Sequence, residues 1–233
     1  VGESKTDIRR QILEVAAELL EREGAQGLST RAVAAAAGIQ PPALYRWFGD
    51  KEGLLAALAG YGFEKYLAEK QALRHTDDPV ADLHRGWDMH VDFGLRHPAF
   101  YVLMYGTESP ERRPPAVDEA TKLLLRYLAR VAEAGRLRVP ADLAARMLLA
   151  ATTGTTLALI GAKEGDRDLE ASHRMRDTVI ASVTTDTPAV AASDLASRAL
   201  ALDAALSGAE QSGLPLRATE TALLRDWLRR LAK

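Results

Sequence analysis

The 233-residue chain contains no cysteine. That excludes disulfides, thiolate nucleophiles and cysteine-ligated zinc or iron–sulfur sites, and it fits a reducing cytoplasm. Aromatic residues amount to only 6%. Alternating β-branched runs bounded by turn residues, the mark of a strand, are missing. No apolar run approaches the roughly 18 residues of a membrane span, and the opening Val1 to Lys5 is too polar for a secretory signal. The expectation is a cytoplasmic chain with no membrane partner. One-sided charge is missing too: the net charge is −2 and the pI about 6.3. Residues 1–51 hold seven basic and seven acidic side chains. Bulk attraction to nucleic acid is therefore not implied, and DNA binding has to rest on a local constellation.

Enzyme signatures are also lacking. There is no G-x-S-x-G, phosphate-loop lysine, G-x-G-x-x-G or H-E-x-x-H pattern. His90 and His97 are close enough in spacing to share a helical face, but Pro98 interrupts it and no third metal ligand is adjacent. The paired Asp77 and Asp78 fall in a turn. No catalytic group, cofactor or metal is expected.

What is present is alanine and leucine in helical rhythm, with 47% hydrophobic and 27% charged residues. That is enough to bury a genuine core. The expected fold class is all-α. Ile8, Ile12, Val15, Ala16, Leu19 and Leu20 outline a first helix over about 7–23 that stops at Gly24. Ser29 or Thr30 caps a second, Gly38 closes it, and Pro41 opens a third. Asp50 caps a fourth that runs to about 74. Further helices are expected over about 80–96, from 98, over 116–134, 140–163, 168–185, 189–206 and 217–232. Pro110, Pro114 and Pro115 mark an exposed loop. Gly60 and Gly62 lie inside the fourth helix, where each costs about 1 kcal/mol against alanine. Because this helix alone leads from the N-terminal unit into the larger one, those glycines mark either a bending lever or close packing.

Two short helices joined through Gly38 and Ile39, supported by a longer first helix, form a helix-turn-helix pattern. Val33, Ala34, Ala37 and Leu44 supply small apolar contacts between them. The outer face of Pro41 to Arg46 is left for a groove about 12 Å wide.

The run Leu28-Ser-Thr-Arg-Ala-Val-Ala-Ala-Ala-Ala-Gly-Ile39, followed by Ala43-Leu-Tyr-Arg-Trp-Phe-Gly-Asp-Lys-Glu-Gly-Leu-Leu55, resembles the DNA-binding domain of the tetracycline-repressor (TetR) family. The resemblance covers about residues 7–55. It implies a cytoplasmic homodimer of two-domain subunits, with a ligand pocket in the larger domain and double-stranded operator DNA as partner. It further implies that Thr30 and Tyr45 contact phosphates through their hydroxyls. Arg31 stands beside them in the DNA-facing set, and Lys51 adds a point charge. Such contacts position without specifying sequence. Base reading falls to Gln40, Pro41, Pro42, Ala43 and Arg46. Trp47 stands where many relatives carry histidine, and either stacks along the DNA backbone or packs down.

Beyond residue 55 most aromatic and soft side chains gather in the fifth to eighth helices: Trp87, His90, Phe93, Phe100, Tyr101, Met104, Tyr105, Tyr127, Met147 and Thr152. The set suits a largely apolar pocket with a few polar handles, taking a small-molecule effector. Ordinary core packing is the competing account. The small, apolar stretch Ala150–Gly161 is suited to close helix approach. By the resemblance, the eighth and ninth helices form the homodimer interface, with intrachain packing as the alternative. The resulting division is residues 1–52 for DNA binding, 53–187 for ligand binding and dimerisation, and 188–233 as a C-terminal helical extension. The functional expectation is a repressor, released by an apolar or aromatic ligand. A ligand-independent architectural DNA-binding protein, or a helical enzyme or binding protein that keeps the N-terminal motif, are the alternatives.

Overall fold

A computed structural model describes residues 5–105, 115–186, 195–209 and 214–232. They form α1 (Lys5–Gly27), α2 (Thr30–Ala36), α3 (Pro41–Phe48), α4 (Lys51–Ala72), α5 (Pro79–Arg96), α6 (Pro98–Tyr105), α7 (Pro115–Glu133), α8 (Ala141–Gly161), α9 (Leu169–Val183), α10 (Leu195–Ala209) and α11 (Ala218–Leu231). The all-α expectation holds. Among the described residues the only extended pairing is an isolated antiparallel bridge between Leu137 and Thr184.

Local chemistry sets the helix starts. Short polar side chains accept from backbone N–H groups in the first turn. Ser29 Oγ takes Ala32 N–H at 3.1 Å, Asp50 Oδ1 takes Gly53 N–H at 2.7 Å, and Asp78 Oδ1 takes Val80 N–H at 2.9 Å. Pro41, Pro79, Pro98 and Pro115 open α3, α5, α6 and α7, where proline's missing N–H costs no helical bond. In α1 the backbone leaves the helical conformation at Gly24, with φ of 69°, as expected, although the helix is counted to Gly27.

Two expectations need correction, those for Pro115 and for the apolar run of α8; one helix start lies outside the described residues, and one open alternative is decided. Pro115 begins α7 and is not in a loop; Pro110 and Pro114 lie outside the described residues. The helix expected over 189–206 is described from Leu195 and continues to Ala209; residues 189–194 lie outside the described set. α8 is long and apolar enough, by length and composition, to cross a membrane, because its threonines and glycines interrupt an apolar run without making it strongly polar. Finally, Gly62 is explained by close packing: a Cβ there would come within 2.8 Å of Phe100 Cδ1 and 3.0 Å of Met104 Sδ.

The chain packs as two compact units, Val1–Gln71 with Asp92–Asp118, and Ala72–Val91 with Glu119–Lys233. In the first, Ile12, Leu20, Leu28, Val33, Leu44, Leu54 and Leu58 are fully buried. Each such side chain contributes roughly 1.5–3 kcal/mol relative to exposure. α1 packs on both α2 and α6. His97, just before α6, places Nδ1 2.6 Å from Glu21 Oε1 of α1. α4 is therefore not the only element of this unit that reaches the helix-turn-helix.

In the second unit the buried Asp82 carboxylate accepts from Thr76 N–H and Oγ1, Arg85 and Arg130, tying the segment before α5 to α5 and α7. Burial alone would raise its pKa. The hydrogen bonds from Thr76, Arg130 and Arg85 outweigh burial and hold it well below the usual carboxylate range. α10 and α11 pack around Ala199, Leu206 and Leu228, and the buried Asp203 accepts from Arg225 at 2.8 Å and Arg229 at 3.3 Å.

Candidate nucleic-acid interface and ligand cluster

The reading unit begins with α2, which ends in a turn where Gly38 takes φ of 66°, a conformation that favours glycine. Ile39 N–H donates back to Ala34 O at 2.9 Å and closes the turn. Gln40 is extended and precedes Pro41 and Pro42 in the first turn of α3. The helical period then divides α3. Leu44 and Phe48 are buried, while Pro41, Pro42, Tyr45 and Arg46 are exposed and Ala43 is half-buried. Val33 and Ala34 meet them from α2 as buried residues, whereas Ala37 is half-buried. The Arg9 guanidinium lies 5.3 Å from the Phe48 ring centre, bracing the corner from α1.

Of the remaining DNA-facing candidates, Arg31, Gln40 and Lys51 are exposed, and Thr30 and Trp47 are half-buried. Thr30 Oγ1 lies 3.3 Å from the Tyr45 hydroxyl, and Tyr45 is 47% exposed. Among the described residues Arg31, Arg46 and Lys51 make no ion pair, so their charges are not committed to any of those residues. The described residues thus offer two adjoining hydroxyls, an exposed cation on each of α2, α3 and α4, and a proline-led tip of α3.

The ten ligand candidates divide between the two units. In the first, Phe93, Phe100, Tyr101 and Met104 are buried and Tyr105 half-buried. They gather with α4: Tyr61 lies 6.5 Å from Phe100, Phe63 5.3 Å from Tyr105, Tyr66 5.3 Å from Phe93, and Tyr101 4.6 Å from Tyr105, between ring centres. Edge-to-face and tilted pairs of this kind add about 0.5–1.5 kcal/mol each beyond area burial. In the second unit, the buried Trp87 places its indole Nε1 3.4 Å from Ser172 Oγ, and Tyr127 faces His75 at 4.8 Å. Thr152 donates to the Leu148 carbonyl at 2.7 Å. His90 is buried and Met147 half-buried.

Two residues of the first cluster escape a reading of the sequence. Lys70 Nζ donates to the Tyr66 hydroxyl at 2.8 Å, with both side chains buried. Burial lowers the Lys70 pKa to about 8 and pushes the Tyr66 phenol up. The available signal is positional. Ala59, Phe63 and Tyr66 form an apolar stripe at helical spacing, and Lys70 occupies its next position.

A compact helix-turn-helix with an uncommitted outer face, joined to a larger helical body, defines the class of helix-turn-helix regulators. A profile for bacterial regulatory proteins of the tetR family matches residues 12–58, and one for the tetracyclin repressor-like C-terminal domain matches residues 83–178. The chain belongs to the TetR family of transcriptional regulators, with a DNA-binding and a ligand-binding domain. It is similar to YobS, an uncharacterised HTH-type transcriptional regulator of Bacillus subtilis (strain 168), with 28% identity over 96 residues, 40% of this chain and 49% of YobS. It is also similar to the class C tetracycline repressor protein of Escherichia coli, with 47% identity over 51 residues, 22% of this chain and 23% of that protein. The chain thus spans half or less of the length of these curated relatives. Among solved structures, a protein of unknown function from Rhodococcus sp. RHA1 has a TM-score of 0.64 at 25% identity, covering 79% of this chain and 97% of that one.

Proposed function

We propose that this chain is a cytoplasmic repressor that binds a pseudo-palindromic operator as a homodimer and leaves it when a small apolar or aromatic ligand binds. Residues 1–52 read the DNA, residues 53–187 bind ligand and dimerise, and residues 188–233 extend the larger domain. The observation that carries this reading is the exposed side of α3 with the start of α4, where the Thr30 and Tyr45 hydroxyls adjoin and Arg46 and Lys51 have no ion-pair partner among the described residues. Thr30, Tyr45 and Lys51, with Arg31, take phosphates. Gln40, Pro41, Pro42, Ala43 and Arg46 face base edges, and Trp47 lies against the backbone. Pro41 and Pro42 lack N–H donors, which disfavours a phosphate clamp at the helix tip and favours apolar contact with thymine methyls.

Dimerisation through α8 and α9 is supported by the face of α8 that is exposed among the described residues. Only 33% of its apolar window is buried. The buried residues Ala141, Ala144, Ala145, Leu148, Thr152, Thr156 and Leu159 take one face. Ala150, Gly154, Ala158 and Gly161 are exposed on the other, and no atom lies within 4 Å of a Cβ built at Gly154 or Gly161. Small residues on that face permit close approach of a second copy. Paired heads then engage half-sites roughly 34–36 Å apart.

Release follows from the packing within the first unit. Phe93, Phe100, Tyr101, Met104 and Tyr105 are the ligand contacts in the unit that holds the reading helices, and Trp87, His90, Tyr127, Met147 and Thr152 are the candidates of the other unit, taken by itself. α6 is held to α4 by the close approach at Gly62 and to α1 through His97 and Glu21. A ligand that shifts α6 therefore shifts α1, which carries the reading helices. The test is transcription in vitro from a template carrying a duplex site selected by the protein. Less transcript with added protein, restored by ligand, supports the reading. More transcript contradicts repression. Binding without sequence enrichment would indicate an architectural protein, and no DNA affinity at all would leave the helical enzyme or binding protein.

A further inference from the structure

Lys70 is the one lysine among the described residues that the fold buries, at 7% exposure. An ammonium carries three N–H donors. Among the described residues, Lys70 Nζ has a single hydrogen-bond acceptor, Tyr66 Oη at 2.8 Å, and no carboxylate within ion-pairing distance. The centre of the same ring is 5.3 Å from Nζ, which therefore sits out beyond the hydroxyl. The Tyr66 ring in turn meets Phe93 edge-on, and Phe63, one turn earlier on α4, meets Tyr105. An uncompensated cation among aromatic rings is costly, because burial without a counter-charge disfavours the charged form. The cost is relieved when an anion with an apolar body arrives, since a carboxylate supplies both charge and acceptors.

We infer that the effector is an organic acid, its carboxylate paired with Lys70 Nζ beside Tyr66 and its apolar body lying against Phe93 and Tyr105. This rests on the ligand-controlled reading above and narrows it from any apolar molecule to a monocarboxylate. Tyr66 lies on the same helix and hydrogen-bonds Lys70, Tyr105 on α6 is coupled electrostatically to Tyr66 and Tyr101, and His97, 5.0 Å from Phe93 between ring centres, is paired with Glu21. Burial pushes the phenols of Tyr66 and Tyr105 up, so these two bring no negative charge near neutral pH. With a Lys70 pKa of about 8, pairing with an acid at pH 8 draws a proton onto the amine.

The test is calorimetry on the full chain with 4-phenylbutyrate, phenylacetate and decanoate, each alongside its neutral amide, for the parent and Lys70→Met. Methionine keeps the length and fills the same volume, and thermal unfolding of the variant checks its fold. The expected result is that at least one acid binds the parent more tightly than its amide. Its Kd should weaken tenfold or more in Lys70→Met, while the amide binds both alike. Repeating the parent titration at pH 8 in buffers of different ionisation enthalpy should show uptake of about half a proton, absent in Lys70→Met. Equal acid binding in both proteins, or no binding by any of the three acids, overturns the inference. A separate measurement of operator release keeps the two readings apart. An acid that binds through Lys70 without releasing DNA counts against ligand-controlled release, whereas release by a neutral ligand with no acid binding counts against the acid.

Discussion

The hydroxyl of Thr30, at the start of α2, lies 3.3 Å from the hydroxyl of Tyr45 in the middle of α3. On the proposed reading a single phosphate oxygen accepts from both, and the pair fixes the depth of α3 in the groove. Tyr45→Phe is expected to weaken DNA binding by about 1.5–3 kcal/mol, the range for a hydrogen bond to a charged group. Because the contact carries no base information, the loss should be equal on duplexes of different sequence. Fluorescence anisotropy on two unrelated sites checks this. Tm should be unchanged, since the ring is half exposed.

Lys51 and Arg46 separate two kinds of contact. Removing Lys51 should flatten the dependence of log affinity on log salt by about 0.9. Removing Arg46 should cost about 1–3 kcal/mol and relax preference at one position per half-site. Titrations at four salt concentrations, with a set of single-base operator variants, distinguish these outcomes. Uniform weakening by Arg46→Ala would assign it to the backbone.

Gly154→Glu is expected to give a monomer with full helicity. A Cβ at this position meets nothing within 4 Å in the chain, so the subunit tolerates the side chain, and only a second copy packed there would bury the charge unpaired. Sedimentation together with far-ultraviolet circular dichroism measures both. A folded dimer would place the interface elsewhere.

Gly62→Ala forces Phe100 and Met104 away from α4. Overpacking of this kind costs about 1–3 kcal/mol, read from urea unfolding. Gly165→Ala, at an exposed position outside α8 and α9 where a Cβ meets nothing within 4 Å, is the control and should be neutral or slightly stabilising.

The folded-state pKa of Asp82 lies below that of an unfolded aspartate, so its interactions stabilise fully above about pH 4 and are lost as pH falls toward the folded value. Asp82→Asn should destabilise by about 3 kcal/mol at pH 6, with Arg85 and Arg130 left unpaired. The difference from the parent should shrink as pH is lowered. A difference constant from pH 6 to pH 2 would contradict this role.

The reading unit was legible because its determinants are local. Ser29, Gly38, Pro41 and Asp50 act on backbone within a few residues of themselves, and the helical period sorts Leu44 and Phe48 from Tyr45 and Arg46. Lys70 was not legible, since Glu69-Lys70-Gln71 reads as the solvated end of a helix. Its burial comes with a fold that brings chain from α5 and α6 onto α4, far away in sequence. Gly62 could be singled out as costly, but whether it bends or packs depends on Phe100 and Met104, nearly forty residues later. α8 misled through the way its apolar character is distributed. Its threonines break any continuous run, yet Thr152 and Thr156 satisfy their hydroxyls on carbonyls one turn back and are buried.

Selection from a pool of random duplexes tests the central claim most directly. The parent should enrich one sequence with two inverted half-sites centred roughly one helical turn apart, 10–10.5 base pairs. The selected complex should hold two chains per inverted repeat, and Arg46→Ala should lose preference at matching positions of both half-sites. Failure of the parent to enrich any sequence, or enrichment of a single unrepeated half-site bound by one chain, would contradict it.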